Sequence, residues 1–183
     1  MRLRAWPPPE AAERVRGGAR RYAAAAALCA GLVAVLWLLV VRPNARAEPR
    51  VDVAGQAARF RALAPYQTYA PQGPLAGWRA TSSRITGDPV AWHLGFRTAR
   101  GGYAAVEQSD EAPATFVPRM ANRDRPVGAQ QVAGATWERY YRQDKRQYTL
   151  ARRLPGVTLV VTGTAGYDEL AALAATLRPQ PPS

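Results

Sequence analysis

The sequence predicts an α+β fold: one N-terminal transmembrane helix, then a mainly antiparallel sheet of about six to seven strands covered by N- and C-terminal helices. Three observations predict it. Residues 22–41 carry no charge, several short runs with strand periodicity follow one another at hairpin spacing, and amphipathic patterns of helical period flank these runs. Because hairpin-length connections favour antiparallel neighbours, the helices are expected to cover the resulting sheet.

The uncharged segment Tyr22–Val41 is long enough to cross a bilayer as a helix. Twenty helical residues span ~30 Å, the thickness of the hydrocarbon core. The segment is rich in leucine and valine, whose insertion is favourable. More arginines precede it than closely follow it, which predicts a cytoplasmic basic tail at residues 1–21 and an extracytoplasmic main domain. The lipid bilayer is thus the first expected partner.

A cleaved signal peptide is the alternative to this anchor. The residues Ala45, Arg46 and Ala47 satisfy the small-x-small pattern at which signal peptides are cut, and cleavage there would release a secreted domain. The apolar run is longer than the usual signal-peptide core of about 7–15 residues, which favours the anchor.

The remainder divides into a linker at residues 42–50, a domain at residues 51–178 and a disordered tail at residues 179–183. The one cysteine, Cys29, lies in the apolar segment, so the domain has no internal disulfide. A domain of this length buries roughly two-thirds of its unfolded surface and needs no such crosslink.

The domain begins with an amphipathic helix, because Val53, Ala57, Phe60 and Ala64 recur at helical spacing. Pro65 ends it, and Asp52 is expected in its first turn, where a negative charge suits the helix dipole. The following segment, Tyr66–Gly77, is rich in proline and glycine and predicts an extended connection.

Strand patterns dominate the middle of the domain. In the clearest of them, Trp92, Leu94 and Phe96 share one face while His93 lies on the other. Leu159–Val161 is continuously apolar, as expected of a strand covered on both faces. Trp92, Leu94, Phe96, Leu159 and Val161 are therefore predicted to form the core. The predicted strands are Trp78–Thr86, Val90–Thr98, Tyr103–Gln108, Ala129–Ala133, Thr136–Arg142, Tyr148–Leu154 and Val157–Thr164.

Two further helices are predicted. Ser109–Pro113 combines capping residues with a proline and predicts the start of a short helix that Pro118 limits. Tyr167–Leu177 places leucines on one stripe, with acidic residues at its start and Arg178 at its end, which matches a final helix.

Three stretches together resemble a known family: AWHLGFRTARGGYAAVEQSD from residue 91, VAGATWERY from residue 132, and LPGVTLVVTGTAGYDELAALAATL from residue 154. The chain is similar to the actinobacterial membrane proteins grouped as domain of unknown function 4245. The order of residues 74–78, Pro-Leu-Ala-Gly-Trp, departs from the family pattern. The resemblance implies a single-pass protein of the bacterial plasma membrane and cell envelope, and it implies no chemistry.

His93 is the one histidine, so a hydrolase would have to use it as its base. Ser109 or another hydroxyl would then be the nucleophile, and Asp88, Glu107 or Asp110 would orient the ring. The sequence has no strand-turn-serine elbow, so an ordinary strand histidine is the favoured interpretation and an envelope hydrolase using His93 the alternative. One histidine and scattered acids predict no metal site and no cofactor.

Basic and aromatic residues are interleaved from Arg139 to Arg153, along one predicted hairpin. Its arginines could meet an acidic partner, namely an anionic lipid, an acidic envelope polymer or another membrane protein, whereas nucleic acid is not expected outside the cell. A solvated hairpin is the simpler interpretation. The candidate residues are Arg139, Arg142, Arg146, Arg152 and Arg153. The function expected from the sequence is thus a non-catalytic, membrane-anchored binding or interaction module.

Overall fold

The structure, a computed structural model, describes residue 22 and residues 26–35, 51–73 and 75–181. The chain divides into two compact units, Met1–Ala47 and Glu48–Ser183. In the first unit, residues 26–35 are helical. Within the described ranges, no helix has both the length and the apolar composition needed to span a bilayer. The predicted basic tail, the linker and the rest of the predicted span lie outside the described residues.

The second unit contains the α+β fold that the sequence predicts, and its large sheet has seven antiparallel strands in the order β2-β3-β4-β8-β7-β6-β5. A separate two-stranded sheet pairs β1 with β9. Each predicted strand has a counterpart in the large sheet. The strands are β1 (Tyr69–Pro71), β2 (Arg79–Gly87), β3 (Val90–Arg97), β4 (Tyr103–Ser109), β5 (Gly128–Val132), β6 (Ala135–Arg142), β7 (Gln147–Leu154), β8 (Val157–Gly163) and β9 (Leu177–Pro179).

Three helices accompany the sheet: α1 (Val53–Leu63), α2 (Pro113–Ala121) and α3 (Tyr167–Ala174). Asp52 was expected in the first turn of α1, but the helix begins at Val53, one residue after it. Asp52 is its N-cap, and the carboxylate accepts a hydrogen bond of 3.0 Å from the backbone N–H of Gly55. This contact satisfies one of the free N–H groups at the helix start.

The predicted core is confirmed. Trp92, Leu94, Phe96, Leu159 and Val161 are all buried and belong to one apolar cluster. Helices α1 and α3 contribute to the same cluster through Phe60, Leu170 and Leu173, so both helices lie over this face of the sheet. We call it the inner face.

Helix α2 lies over the opposite, outer face and contacts β6, β7 and β8. Phe116 and Val117 pack there against Tyr140 and Val160. Every residue of β8 is buried, as its apolar run predicted, because helices cover both of its faces. The β2–β4 part of the outer face carries partly exposed polar side chains instead.

Two predicted helix ends were wrong. Pro118 lies inside α2, which continues to Ala121 and is ended by its C-cap Asn122, a residue with a left-handed φ of 53°. Helix α3 stops at Ala174, and Leu177 already belongs to β9. A residue before proline is disfavoured in helical geometry, so Pro179 makes Arg178 extended. Leu177–Pro179 consequently pairs with Tyr69–Pro71, which replaces the predicted connection and part of the predicted tail with a short ribbon.

Candidate functional site

The five arginines of the predicted acidic-partner patch do not share one face. Arg139 and Arg152 lie on the inner side of β6 and β7, whereas Arg142 and Arg153 lie on the outer side and Arg146 is in the turn between the strands. Strand alternation requires this separation, since neighbouring residues point to opposite faces.

The patch arginines are also engaged within the domain. The Arg139 guanidinium lies 3.8 Å from the ring centroid of Tyr167, a cation–π contact. Arg142 donates two hydrogen bonds of 2.8 Å to Asp144, and this pairing lowers the pKa of the Asp144 carboxyl. Arg153 forms an ion pair with Glu138. These contacts reduce the positive charge that is left for an acidic partner.

His93 has polar partners on both ring nitrogens. Its Nδ1 lies 2.5 Å from Oε1 of Glu107, the residue directly opposite it on β4. Its Nε2 lies 3.1 Å from Oγ of Ser82 on β2 and 3.3 Å from the hydroxyl of Tyr103. Three adjacent strands therefore place a hydroxyl, an imidazole and a carboxylate in one hydrogen-bonded row on the outer face.

The row is compatible with one tautomer of a neutral imidazole. If Nδ1–H donates to the Glu107 carboxylate, the lone pair of Nε2 is left to accept a hydrogen bond from Ser82. The same order of groups makes a serine nucleophilic in hydrolases. Here Ser82 lies within a strand, beside a register shift between Ala80 and Ser82, and not at a strand-to-helix turn.

The sequence indicated four possible partners for His93, namely Ser109, Asp88, Glu107 and Asp110. Of these four, Glu107 alone forms a hydrogen bond with it. Ser109 is fully buried, and its hydroxyl accepts a hydrogen bond from the backbone N–H of Glu111. The partner hydroxyls, Ser82 and Tyr103, were not predicted. Tyr103 is 38% exposed, and the partial burial of its phenol raises the pKa of that group while the hydrogen bond with Ser82 acts in the opposite direction.

A cleft of about 430 Å³ adjoins the row, between β2–β4 and α2. Its walls carry both signs of charge, with Arg84 and Arg119 among the bases and Asp88 and Glu111 among the acids. Arg119 and Glu111 form an ion pair. His93 and Glu107 form part of the lining, so the imidazole is accessible from the cleft.

A second concavity, with a mainly apolar lining, is on the other side of the domain. A cavity of about 790 Å³ lies between α1, β1, the segment after β1 and the first residues of β2. We call it the α1–β2 cavity. Its α1 wall is formed by Ala54, Ala57 and Ala58, and aromatic side chains form the opposite part through Trp78 and Phe96. These two rings meet edge to face, with centroids 6.2 Å apart.

Two arginines line the α1–β2 cavity, Arg61 on α1 and Arg79 at the start of β2. The lining contains no acidic residue, and neither arginine pairs with a carboxylate elsewhere in the described ranges. Gln72 and Gln180 supply neutral polar groups. Arg61 is partly buried on the α1 wall, whereas Arg79 is exposed and pairs with Arg97, on the face of β2 opposite Ala80 and Phe96. The cavity is thus mainly apolar, with Arg61 as its partly buried cation.

The α1–β2 cavity was not predicted, although α1 carries a signal for it. Ala54, Ala57, Ala58 and Arg61 recur at steps of three and four and therefore share one helical face. The small alanine side chains at three positions of this helical face leave a space against the sheet that leucine side chains would fill. The β1–β9 ribbon and the segment before β2 determine which residues form the wall opposite α1. These parts of the chain had been predicted as an irregular connection and a tail.

Within residues 22, 26–35, 51–73 and 75–181, no three potential metal ligands come together. No curated protein and no solved structure matches the chain. One family model, described as Protein of unknown function (DUF4245), matches residues 14–177. That match includes most of the chain and all three stretches that carried the resemblance. The chain therefore belongs to the DUF4245 family.

Proposed function

We propose that this chain is a membrane-anchored, non-catalytic binding module of the bacterial cell envelope, and that it takes up an apolar ligand in the α1–β2 cavity. The observation that carries the proposal is the cavity itself. Its volume of about 790 Å³ falls within the roughly 300–1,000 Å³ of small-molecule sites, which are mainly apolar with a few polar groups. Burial of a ligand against its walls would gain roughly 25 cal/mol per Å² of apolar surface.

The chemistry of the walls favours one of the partners expected from the sequence. A sugar or phosphate polymer would lose hydrogen bonds to water beside the alanines and Trp78, and an unpaired polar group costs roughly 1–3 kcal/mol in a protein. An acyl chain loses none. The divided arginine patch no longer offers a polymer one continuous basic surface. An anionic lipid is therefore the favoured partner.

Photo-crosslinking in living bacteria tests this proposal on the full chain. Cells would receive a long-chain fatty acid that carries a diazirine, and mass spectrometry would locate the adducts. We expect adducts on peptides that line the cavity. Tryptophan at Ala54 or Ala58 should fill the space and abolish them, whereas Ala62→Trp, an exposed position of α1 outside the lining, should not. Equal labelling of all variants would contradict the proposal.

The membrane anchor is supported by the uncharged Tyr22–Val41 and the arginines before it. Reporter fusions at the C-terminus test it in a bacterial host, one reporter active only outside the cytoplasm and one only inside. The outside reporter should be active, and the protein should stay in the membrane after carbonate washing. A soluble, shortened product would indicate cleavage near Ala47 instead.

The row Ser82–His93–Glu107 favours a second candidate, the envelope hydrolase using His93. With Nδ1 held by Glu107, Nε2 could take the Ser82 proton while Oγ attacks an ester carbonyl, and the imidazolium would then protonate the alkoxide that leaves as the ester C–O bond breaks. A water molecule deprotonated by Nε2 would later release the acyl group from Oγ as a carboxylic acid. A fluorophosphonate probe discriminates the candidates, because it labels activated serines. Labelling that Ser82→Ala removes and Ser83→Ala retains would establish the hydrolase, whereas no labelling leaves the row as a structural hydrogen-bond network.

A further inference from the structure

Three arginines without an acidic partner lie on the outer face of β2–β4. Arg79 and Arg97, which we call the paired arginines, are directly opposite each other on β2 and β3, and both are exposed. Arg84 is opposite His93 on the same face and is exposed as well. No carboxylate of the described ranges forms an ion pair with any of the three. Like charges directly opposite each other destabilise a sheet, so a bound anion would relieve a repulsion here.

Small side chains separate the paired arginines from Arg84. Ser82, Gly95 and Ala105 are neighbours across the three strands and form the row between them. Gly95 is needed at the centre of this row, because a Cβ atom there would lie 2.6 Å from the Tyr103 hydroxyl and closer still to Oγ of Ser82. The outer face therefore has a shallow depression, with arginines at both ends and two hydroxyls over its floor.

The Tyr103 hydroxyl is placed to bind a ligand in this depression. It lies 3.3 Å from Nε2 of His93 and is also next to Ser82. If Ser82 donates to Nε2, the O–H of Tyr103 is left to donate to a ligand. Burial raises the pKa of the phenol, and the charge of Arg84 acts against this effect, so Arg84 is near enough to influence the same group. Glu107, the one carboxylate on the outer face of β2–β4, is bound to His93.

From this arrangement we infer that the outer face of β2–β4 binds a phosphate monoester, held by the paired arginines and the Tyr103 hydroxyl, with Arg84 adding positive charge from the other end. Near neutral pH a phosphate monoester carries a charge of roughly −1.5 to −2 and three acceptor oxygens. It can therefore accept charge-assisted hydrogen bonds from two guanidinium groups at once, whereas the single charge of a carboxylate balances one arginine. The α1–β2 cavity lies on the side of Ala80 and Phe96, the opposite face, so this inference goes beyond the proposed function and does not depend on it.

Isothermal titration calorimetry of the full chain in micelles of an uncharged detergent tests the inference at constant ionic strength. The probes are inorganic phosphate, acetate, and phosphatidic acid with two short, soluble chains. We expect saturable binding of phosphate, with a dissociation constant at least about tenfold lower than that of acetate, because a second charge-assisted pair forms. Phosphatidylcholine with the same chains is the control for binding of the chains alone, including binding in the α1–β2 cavity.

Neutral variants test the contacts. In Arg79→Gln/Arg97→Gln, the dissociation constant of phosphate should rise about tenfold or more, because both charge-assisted pairs are lost. Arg125→Gln is the matched control, since Arg125 is an exposed arginine in the loop between α2 and β5. Tyr103→Phe keeps the ring and removes the hydroxyl, and it should weaken binding by roughly two- to tenfold.

Melting temperatures give a second measurement, which a purely structural role of the arginines would not reproduce. In chloride, Arg97→Gln should melt at or above the wild-type temperature, since it removes the repulsion between the paired arginines. In phosphate at the same ionic strength, the wild type and Arg125→Gln should gain stability by binding the ion, whereas Arg97→Gln should gain much less.

The outcomes also identify the source of the phosphate. Tighter binding of phosphatidic acid than of both phosphate and phosphatidylcholine would support the inference with a lipid head group as the source. Equal or weaker binding of phosphatidic acid than of phosphate would support it with a soluble phosphate compound as the source. Absence of saturable phosphate binding, equal binding of acetate, or binding that Arg79→Gln/Arg97→Gln leaves unchanged would each overturn it.

Discussion

The side chain of Gln108 pairs with the backbone of Tyr69 as a neighbouring strand would. Its Nε2 donates to the Tyr69 carbonyl at 2.6 Å, and its Oε1 accepts from the Tyr69 N–H at 2.9 Å. Gln108 is fully buried on β4, and Tyr69 begins β1. One amide side chain therefore joins the large sheet to the β1–β9 ribbon.

Replacement of Gln108 by leucine should destabilise the domain. The variant leaves the Tyr69 N–H and C=O without their partner, and each unsatisfied buried group costs about 1–3 kcal/mol. Chemical denaturation of the full chain would measure the loss. Gln131→Leu, at an exposed position of β5, is the control and should change stability little. Equal stability of the two variants would show that water replaces the amide.

Truncation of Trp92 to alanine should cost about 3–5 kcal/mol, the range for large aromatic residues in a core. Trp92 is 1% exposed, its ring lies 5.4 Å from that of Phe60, and its Nε1 donates to Ser83 Oγ at 2.9 Å. Thermal unfolding monitored by circular dichroism would show the loss. Leu63→Ala, at an exposed position, should leave the melting temperature nearly unchanged.

Gly163→Ala should destabilise the fold although it adds only one methyl group. A Cβ atom at this position of β8 would lie 2.0 Å from the backbone carbonyl oxygen of Tyr103, so one of the two strands must shift. Overpacking of this kind costs about 1–3 kcal/mol. Gly87→Ala is the matched control, because its Cβ would meet nothing within 4 Å. Similar denaturation midpoints for both variants would contradict the expected clash.

The Arg100–Asp168 pair predicts a pH dependence at the start of α3. The 2.8 Å hydrogen bond from Arg100 lowers the pKa of the Asp168 carboxyl below its ordinary value of about 3.9. A carboxyl whose pKa is lower in the folded state than in the unfolded state stabilises the fold at pH values above its unfolded-state pKa. This stabilisation is lost as the pH falls through the folded-state pKa. Arg100→Ala should therefore raise the pKa of Asp168, as measured by NMR titration, whereas Arg97→Ala should not. Both side chains are mostly exposed, so the effect on total stability should be small.

Sequence patterns predicted the large sheet well because each of its strands has a recognisable pattern within its own few residues. The alternation around Trp92 and the apolar run in β8 report directly on which faces are covered. The β1–β9 ribbon was missed, since it pairs residues more than 100 positions apart and each strand has only three residues. Pro71 and Pro179 had indicated irregular structure, yet a two-stranded ribbon has edges on both sides where proline is tolerated.

The candidate sites were harder to predict than the fold. A strand pattern places His93 on the outer face, but the neighbour of His93 on β2 depends on the register shift beside Ser82, which no local motif encodes. The arginine patch was proposed from chain proximity alone. In the structure, alternation sends Arg139 and Arg142 to opposite faces, where Tyr167 and Asp144 engage them. Proximity along a strand therefore does not define a surface.

The ribbon also determines how the domain would respond to mechanical tension. Tyr69 pairs with Pro179, and the Gln180 N–H donates to the Thr68 carbonyl at 2.9 Å, so the chain enters β1 and leaves β9 at the same end. A pull between residue 68 and residue 180 acts across the hydrogen bonds and not along the strands. The pairs would thus open in sequence, as a zipper does, beginning at Thr68–Gln180 and reaching the Gln72–Thr176 hydrogen bond last, while the seven-stranded sheet stays intact.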